Sequence, residues 1–285
     1  QQGALISDST DACHRHCSNC TGLLDHAEPR YFMSPDCFRQ ALLAIKDFPT
    51  KSEPVPPRPG EKRQRRKILG LIGGEPLLHP ELPAIAEIFC ELVPQVYYRG
   101  FWTAKDWKTG AHPKWGAYRP IVEKIIGPHP THDVSGPSEK HACGFLNWNM
   151  HLPEMNVQHQ PLLVASKDAI PDERQRWELI EACWVQREWS GTCTDKGFFF
   201  CEVAGHLDRV LGGEGGLPFE ADVWQGELYF ERDAQGVPRP RGKFARQIEQ
   251  ACERCGACLH LPPRRDAENI DDVSPSNLAA LERVG

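Results

Sequence analysis

The stretch CHRHCSNC, Cys13 to Cys20, decides how this chain is read. It places three cysteines in the spacing C-x3-C-x2-C, directly after ALIS (Ala4–Ser7), a short apolar run that reads as a buried strand. A closed structural zinc site takes four ligands, typically from paired C-x2-C knuckles. No fourth cysteine lies nearby, and His14 and His16, set between the cysteines, are awkwardly placed to complete such a site. Three thiolates instead suit a cubane iron–sulfur cluster whose fourth iron is left open. An open position on a redox metal implies that a substrate or cofactor binds there.

Working outward, ILG-L-IGGEP (residues 68–76) reads as a second buried strand ending in two glycines. Between the two strands, SPDCFRQALLAIKDF reads as a helix, with Ser34 as N-cap, Pro35 in the first turn, and Phe38, Ala41, Leu42, Ile45 and Phe48 at helical spacing. The proline-rich, then basic, PTKSEPVPPRPGEKRQRRK reads as an exposed loop. A second helix, LPAIAEIFCELV, and a third strand, QVYYRGFW, follow. This alternation of strand and helix argues for a parallel sheet with crossover helices.

The middle of the chain, to about Gln160, is rich in Trp, His, Pro and Gly. YRPIVEKIIG is a helix candidate there, and HDVSG and FLNWNMHL are strand candidates. PLLVAS (Pro161–Ser166) reads as a buried strand, and PDERQRWELIEAC as a helix with Pro171 at its start. After it, WSGTCTDKGFFFCEV reads as a hairpin, and FARQIEQACERCGAC as a helix running into a second cysteine group. The last twenty residues read as a surface tail.

The chain has 285 residues, enough for one large domain or two smaller ones, and a formal charge of −6, which gives no basic surface for nucleic acid. No apolar run approaches the roughly 20 residues needed to span a bilayer. The chain opens on Gln1 rather than methionine, so a start further upstream is expected, and QQGALISDST lacks the charged start and apolar stretch of a signal peptide. The expectation is a cytoplasmic protein. Twelve cysteines in such a compartment point to metal binding or chemistry rather than disulfides. Cys37, Cys90 and Cys143 stand alone and read as buried thiols.

The C-x3-C-x2-C loop after a first strand, with Gly73, Gly74, Glu75 and Pro76 at the end of the next, resembles the radical S-adenosylmethionine superfamily. The resemblance implies a fold of the α/β class: a partial (β/α)6 TIM-like barrel. It implies that Cys13, Cys17 and Cys20 hold a [4Fe-4S] cluster whose open iron is chelated by the amino and carboxylate groups of S-adenosylmethionine. One electron then cleaves the cofactor to a 5′-deoxyadenosyl radical, which takes a hydrogen atom from substrate. The GGEP residues would meet the methionine part of the cofactor, the glycines allowing close backbone approach and Glu75 complementing the ammonium. Thr103 and Ser166, at expected strand ends, are further candidate cofactor contacts. Asn19 stands where the family often has an aromatic residue packed near the adenine.

The C-terminal part resembles the auxiliary-cluster extensions called SPASM and twitch domains. Cys183 precedes the hairpin, Gly197 sits in its turn, Cys201 follows, and Cys252 and Cys255 supply a C-x2-C. The resemblance makes these four cysteines the first choice for an auxiliary [4Fe-4S] cluster, with Cys193 and Cys258 as alternatives. A zinc site stapling the hairpin to the helix remains an alternative. The expected organisation is a barrel over 1–171, an auxiliary-cluster domain over 172–263 and a tail over 264–285.

By analogy of architecture, the expected activity is oxidation of a small hydroxylated molecule, such as a sugar or aminocyclitol. It would be served by an electron donor such as flavodoxin or ferredoxin. Alternatives are a ribosomal-peptide maturase that crosslinks or epimerises its substrate, and a non-catalytic zinc- or cluster-stabilised binding module. His79 could face the GGEP turn but reads better as a helix cap. Trp102, Trp107 and Trp115 could line a pocket mouth. No general acid or base stands out.

Overall fold

The computed structural model describes residues 3–6, 9–13, 16–27, 30–46, 68–93, 98–103, 115–127, 138–140, 144–148, 157–188, 191–225 and 229–284. The basic loop, Trp107, Cys143 and the HDVSG candidate lie outside them.

The first half alternates as β1 (Gly3–Ile6), α1 (Pro35–Ile45), β2 (Ile68–Leu71), α2 (Leu82–Leu92), β3 (Tyr98–Thr103) and α3 (Trp115–Ile126), then β4 (Ser138–Lys140) and β5 (Gly144–Trp148). Strands β1, β2, β3 and β5 are parallel neighbours, with Gly3 opposite Ile68, Ile68 opposite Tyr98 and Arg99 opposite Gly144. Parallel neighbours need long crossovers, and the helices between them supply these. Ser34 caps α1 by accepting the Cys37 N–H (3.2 Å). Phe38, Ala41, Leu42 and Ile45 form its buried stripe, and Phe38 meets Phe89 of α2 edge-on at 6.2 Å between ring centres. An apolar stripe at this spacing can be satisfied only by such packing.

The second half runs β6 (Gln158–His159), α4 (Ser166–Ala169), α5 (Glu173–Glu181), α6 (Trp184–Glu188), β7 (Gly191–Thr194), β8 (Gly197–Phe199) and α7 (Glu202–Val210). It ends with β9 (Tyr229–Arg232), β10 (Pro238–Arg241), α8 (Ala245–Cys252), β11 (Arg264–Arg265) and α9 (Pro275–Val284). The expected β7–β8 hairpin forms, with Gly197 at φ 119° in its turn, but it does not stand apart. β7 lies parallel to β1, Leu5 opposite Thr192, so one sheet runs β4-β5-β3-β2-β1-β7-β8. Every residue of β7 and β8 is buried, and a two-stranded hairpin is marginal alone. The edge of β1 gives it a third strand.

Three sequence expectations need correction. PLLVAS is not a strand: Leu162 and Leu163 are buried, but their carbonyls accept from Gly256 N (3.0 Å) and Ser274 N (3.1 Å), and Ser166 opens α4. A short apolar run records burial and not backbone form. Pro171 precedes α5 rather than starting it; Asp172 is the N-cap, accepting from Gln175 N (2.7 Å). The last residues are not a plain surface tail: they form α9, where Asn277 and Ala280 are buried, and Asn277 Nδ2 donates to the Leu163 and Arg254 carbonyls (2.9 Å each). The antiparallel β9–β10 pair was not anticipated. Its turn is closed by Asp233 Oδ1, which accepts from Gln235 N and Val237 N, with Gly236 at φ 77°. Among the described residues no helix is long and apolar enough to cross a membrane.

Candidate metal centres

The cysteine loop leaves the C-terminal end of β1, and GGEP leaves the same end of its neighbour β2. The two segments are stitched by their backbones. Ser9 Oγ donates to Ile72 O (3.0 Å), Gly74 N to Thr10 O (2.6 Å) and Glu75 N to Ala12 O (2.8 Å). A Cβ on Gly73 would lie 2.5 Å from Thr10 O, and one on Gly74 2.5 Å from Ala12 O. The surface these glycines approach is thus the chain's own loop entering Cys13, where the sequence reading put a ligand. Glu75 is fully buried, and its Oε1 accepts from Leu77 N (3.2 Å), capping the turn that begins at Pro76. His79 is also buried. Its Nδ1 accepts from Glu81 N (3.0 Å) and its Nε2 donates to Met33 O (3.0 Å), a structural tautomer that burial keeps neutral by lowering its pKa. His79 thus braces the turn ahead of α2, whose N-cap is Glu81 with no side-chain cap hydrogen bond.

Cys13, Cys17 and Cys20 are half-buried thiols on the loop. Cys20 N donates to Cys17 O (3.2 Å) and Leu23 N to Cys20 O (2.9 Å), so the last two cysteines sit on consecutive tight turns. Burial pushes the Cys20 thiol up to about 11, against the pull of the Gly22 and Leu24 amides; the nearby charges of Cys13 and Asp271 raise it further. In the metal-free chain, burial thus favours the neutral form of this thiol.

The second group gathers more completely. Cys183, Cys201, Cys252, Cys255 and Cys258 line a single cavity between α6, α7 and α8, otherwise walled by apolar side chains such as Ile180, Val185, Phe200 and Leu207. Burial, followed by mutual repulsion, raises Cys252 and Cys255 well above the ordinary thiol range; burial also brings Cys201 and Cys258 to about 12. Cys201 lies at the N-terminus of α7, against the Val203 and Ala204 amides, without a formed cap hydrogen bond. Gln186 Nε2 donates to Cys252 Sγ (3.4 Å), and Ala257 N to Cys255 Sγ (3.4 Å). All four first-choice cysteines are at the cavity, and Cys258 joins them. Cys193 does not: it is buried in β7, and its electrostatic neighbour is Cys37.

Five thiols lining one apolar cavity would repel one another once ionised, so the donor set fits a multiply charged metal group. Among the described residues, no three His, Cys, Asp or Glu side chains come close enough to chelate one ion. A single zinc needs four donors about 2.3 Å from one point, whereas a cubane takes each thiolate on a separate iron.

The remaining candidates resolve differently. Ser166 Oγ donates to Cys252 O (2.9 Å), which ties α4 to the second cysteine group. Thr103 ends β3 opposite Trp148. Trp102 lies in β3 and Trp115 opens α3. Sequence reasoning missed the joint between the two cysteine groups. Arg209 of α7 holds the buried Asp11 with Nη2 at 2.9 Å and Nε at 3.1 Å from Oδ2, while Tyr31 N donates to Oδ1. Two residues before Cys13, an aspartate at a loop start carries no signal that it will be buried. Compared with known proteins, the chain matches no family model, and no curated protein is significantly similar to it.

Proposed function

We propose that this chain is a radical S-adenosylmethionine enzyme of the partial (β/α)6 barrel type, with an all-cysteine auxiliary iron–sulfur centre in its C-terminal part. Its reaction would be oxidation of a small hydroxylated molecule such as a sugar or aminocyclitol to a carbonyl, with S-adenosylmethionine as the oxidant; one electron from a flavodoxin- or ferredoxin-like donor would start it, and the substrate's second electron would leave through the auxiliary centre. The observation that carries the reading is the junction of the two motifs: residues 9–12 and 73–75 are hydrogen-bonded side by side at the ends of adjacent parallel strands.

The chain's own residues divide the work. Cys13, Cys17 and Cys20 would hold the first cluster, which when bound supplies the electron that cleaves the sulfonium cofactor. Gly73 and Gly74 keep the GGEP turn against the loop that carries these thiols. Glu75, capping its own turn, fixes that turn's path at the rim where the cofactor's polar end would lie. Cys183, Cys201, Cys252, Cys255 and Cys258 exceed the four ligands a cubane needs, which suits a saturated centre that stabilises the fold or passes electrons.

The test is anaerobic reconstitution with iron and sulfide, then dithionite and S-adenosylmethionine. Appearance of 5′-deoxyadenosine, lost in the Cys13→Ala/Cys17→Ala/Cys20→Ala variant, supports the proposal. A colourless protein holding zinc at Cys13–Cys20 overturns it and leaves a metal-stapled binding module.

A further inference from the structure

The two residues between the second and third cysteines of the N-terminal loop are held from the far end of the chain. Ser18 and Asn19 are both almost fully buried. Ser18 N donates to Asp266 O (3.0 Å), Ile270 N donates to Ser18 Oγ (2.9 Å), and His159 Nδ1 lies 3.1 Å from Ser18 O. Asn19 N donates to Asp271 Oδ1. The Asn19 amide makes a two-way pair with one residue: Nδ2 donates to Asp272 Oδ2 (2.9 Å), and Oδ1 accepts from Asp272 N (2.8 Å). The second oxygen of Asp271 meets His26 Nε2 at 2.8 Å, on the other side of Cys20. Arg264 anchors Asp272 with two hydrogen bonds of 2.9 and 2.6 Å, and β11 is itself fastened to β6.

Asn19 has φ 49°, a left-handed conformation that is unfavourable for an ordinary residue and that asparagine tolerates best after glycine. The turn between Cys17 and Cys20 would not hold this shape by local preference alone. Asp271 and Asp272 hold it by taking both the backbone N–H and the side-chain amide of the residue that bends. The pair also accounts for an asparagine where the resembled family often has an aromatic side chain: here that side chain faces the C-terminal segment.

We propose that residues 266–272 are a clasp that presets the Cys17–Cys20 turn for metal loading, with Asp271 and Asp272 as its positioning residues. The inference rests on the reading that the N-terminal loop binds iron. The clasp lies in the stretch expected from sequence to be a tail, and it links the first metal site to the chain that leaves the second, since only the short run after Cys258 separates them.

The test is iron loading of the full chain during anaerobic reconstitution with iron and sulfide. The wild type, the Cys13→Ala/Cys17→Ala/Cys20→Ala variant and an Asp271→Ala/Asp272→Ala variant are compared, with thermal unfolding of each metal-free protein alongside. Loss of an outer partner typically costs about 10–100-fold in metal affinity, so the aspartate variant should load the first site at least about 10-fold more weakly while C-terminal iron is unchanged. Asp271→Asn/Asp272→Asn keeps an acceptor oxygen at each position and should recover loading, which a general loss of folding would not allow. Asn19→Gly, which keeps the backbone shape and removes the side-chain pair, should load at an intermediate level. Wild-type loading in the alanine variant, with the triple-cysteine variant lacking that iron, overturns the clasp alone. Equal iron in wild type and triple-cysteine variant overturns the underlying reading and the clasp with it.

Discussion

Replacing Arg209 with methionine should separate the two cysteine groups energetically. Asp11 is 1% exposed and Arg209 16%, so the pair is shielded from water on the carboxylate side. Methionine keeps the apolar stem's packing but removes two donors, leaving Asp11 Oδ2 without its cation. Breaking a buried pair by deleting one partner costs about 3–5 kcal/mol, and the partial exposure of Arg209 argues for the lower end. Arg209 also lies 4.6 Å from the Tyr31 ring centre, a contact worth about 0.5–1 kcal/mol. Its 3.5 Å approach to the half-exposed Asp195 adds little. The sum is a loss of about 3–4 kcal/mol. The assay is urea unfolding of the metal-free protein under reducing, anaerobic conditions. A double-mutant cycle with Asp11→Asn should give a coupling of about 1.5–3 kcal/mol. A loss below about 1 kcal/mol, or additive single changes, would refute the claim that this bridge is a buried joint between the loop and α7.

Other outcomes follow from the same geometry. Gly74→Ala sets a Cβ against Ala12 O and breaks the Gly74–Thr10 and Glu75–Ala12 bonds, so it should cost about 2–4 kcal/mol in urea unfolding and lower iron uptake by the Cys13 loop. Gln186→Leu deletes the N–H aimed at Cys252 Sγ; on the proposed reading of two iron–sulfur centres, the midpoint potential of the C-terminal one, read by a redox titration followed by electron paramagnetic resonance, should become more negative while that of the first stays put. In the metal-free protein the Cys20 and Cys201 thiols, near 11 and 12 when folded, ionise well after their unfolded counterparts near 9. The folded state therefore keeps protons that the unfolded chain releases, and this stability is present below about pH 9 and lost as pH rises towards 11–12. Unfolding free energies from urea titrations at about pH 8 and about pH 10 should differ by about 1.4 kcal/mol per thiol relative to the Cys20→Ala/Cys201→Ala variant, and equal shifts in both proteins would count against the burial argument.

The strand–helix alternation of the first half was legible because each element carries its own period. Phe38, Ala41, Leu42 and Ile45 repeat at helical spacing, and the ILGL run is short, continuous and ends at glycines. The two cysteine groups were legible because ligand spacing within a loop or a helix is a local property. Cys252, Cys255 and Cys258 stand in one short stretch, whereas Cys183 and Cys201 were joined to Cys252 and Cys255 only by the resemblance to the auxiliary-cluster extensions, with Cys258 as an alternative.

Local spacing does not say which distant backbone a glycine abuts or where an apolar run sends its carbonyls. Gly73 and Gly74 read as making room for a ligand, and the packed chain fills that room with Thr10 and Ala12. Leu162 and Leu163 read as strand residues, and their carbonyls went to the cysteine-bearing loop and the start of α9. Asp11, Asn19, Asp271 and Asp272 are ordinary polar letters in a sequence. The burial of Asp11 and Asn19, and their pairing with Arg209, Asp271 and Asp272, arises only when segments about 200–250 positions apart meet, because desolvation and hydrogen-bond pairing belong to the assembled surfaces and not to any one of them. The chain's letters alone determine the periodic elements and the thiol-rich loops. Which four of the gathered thiols share a cavity with Cys258, and what holds the first loop in shape, is decided by tertiary packing, since both depend on what water is excluded from.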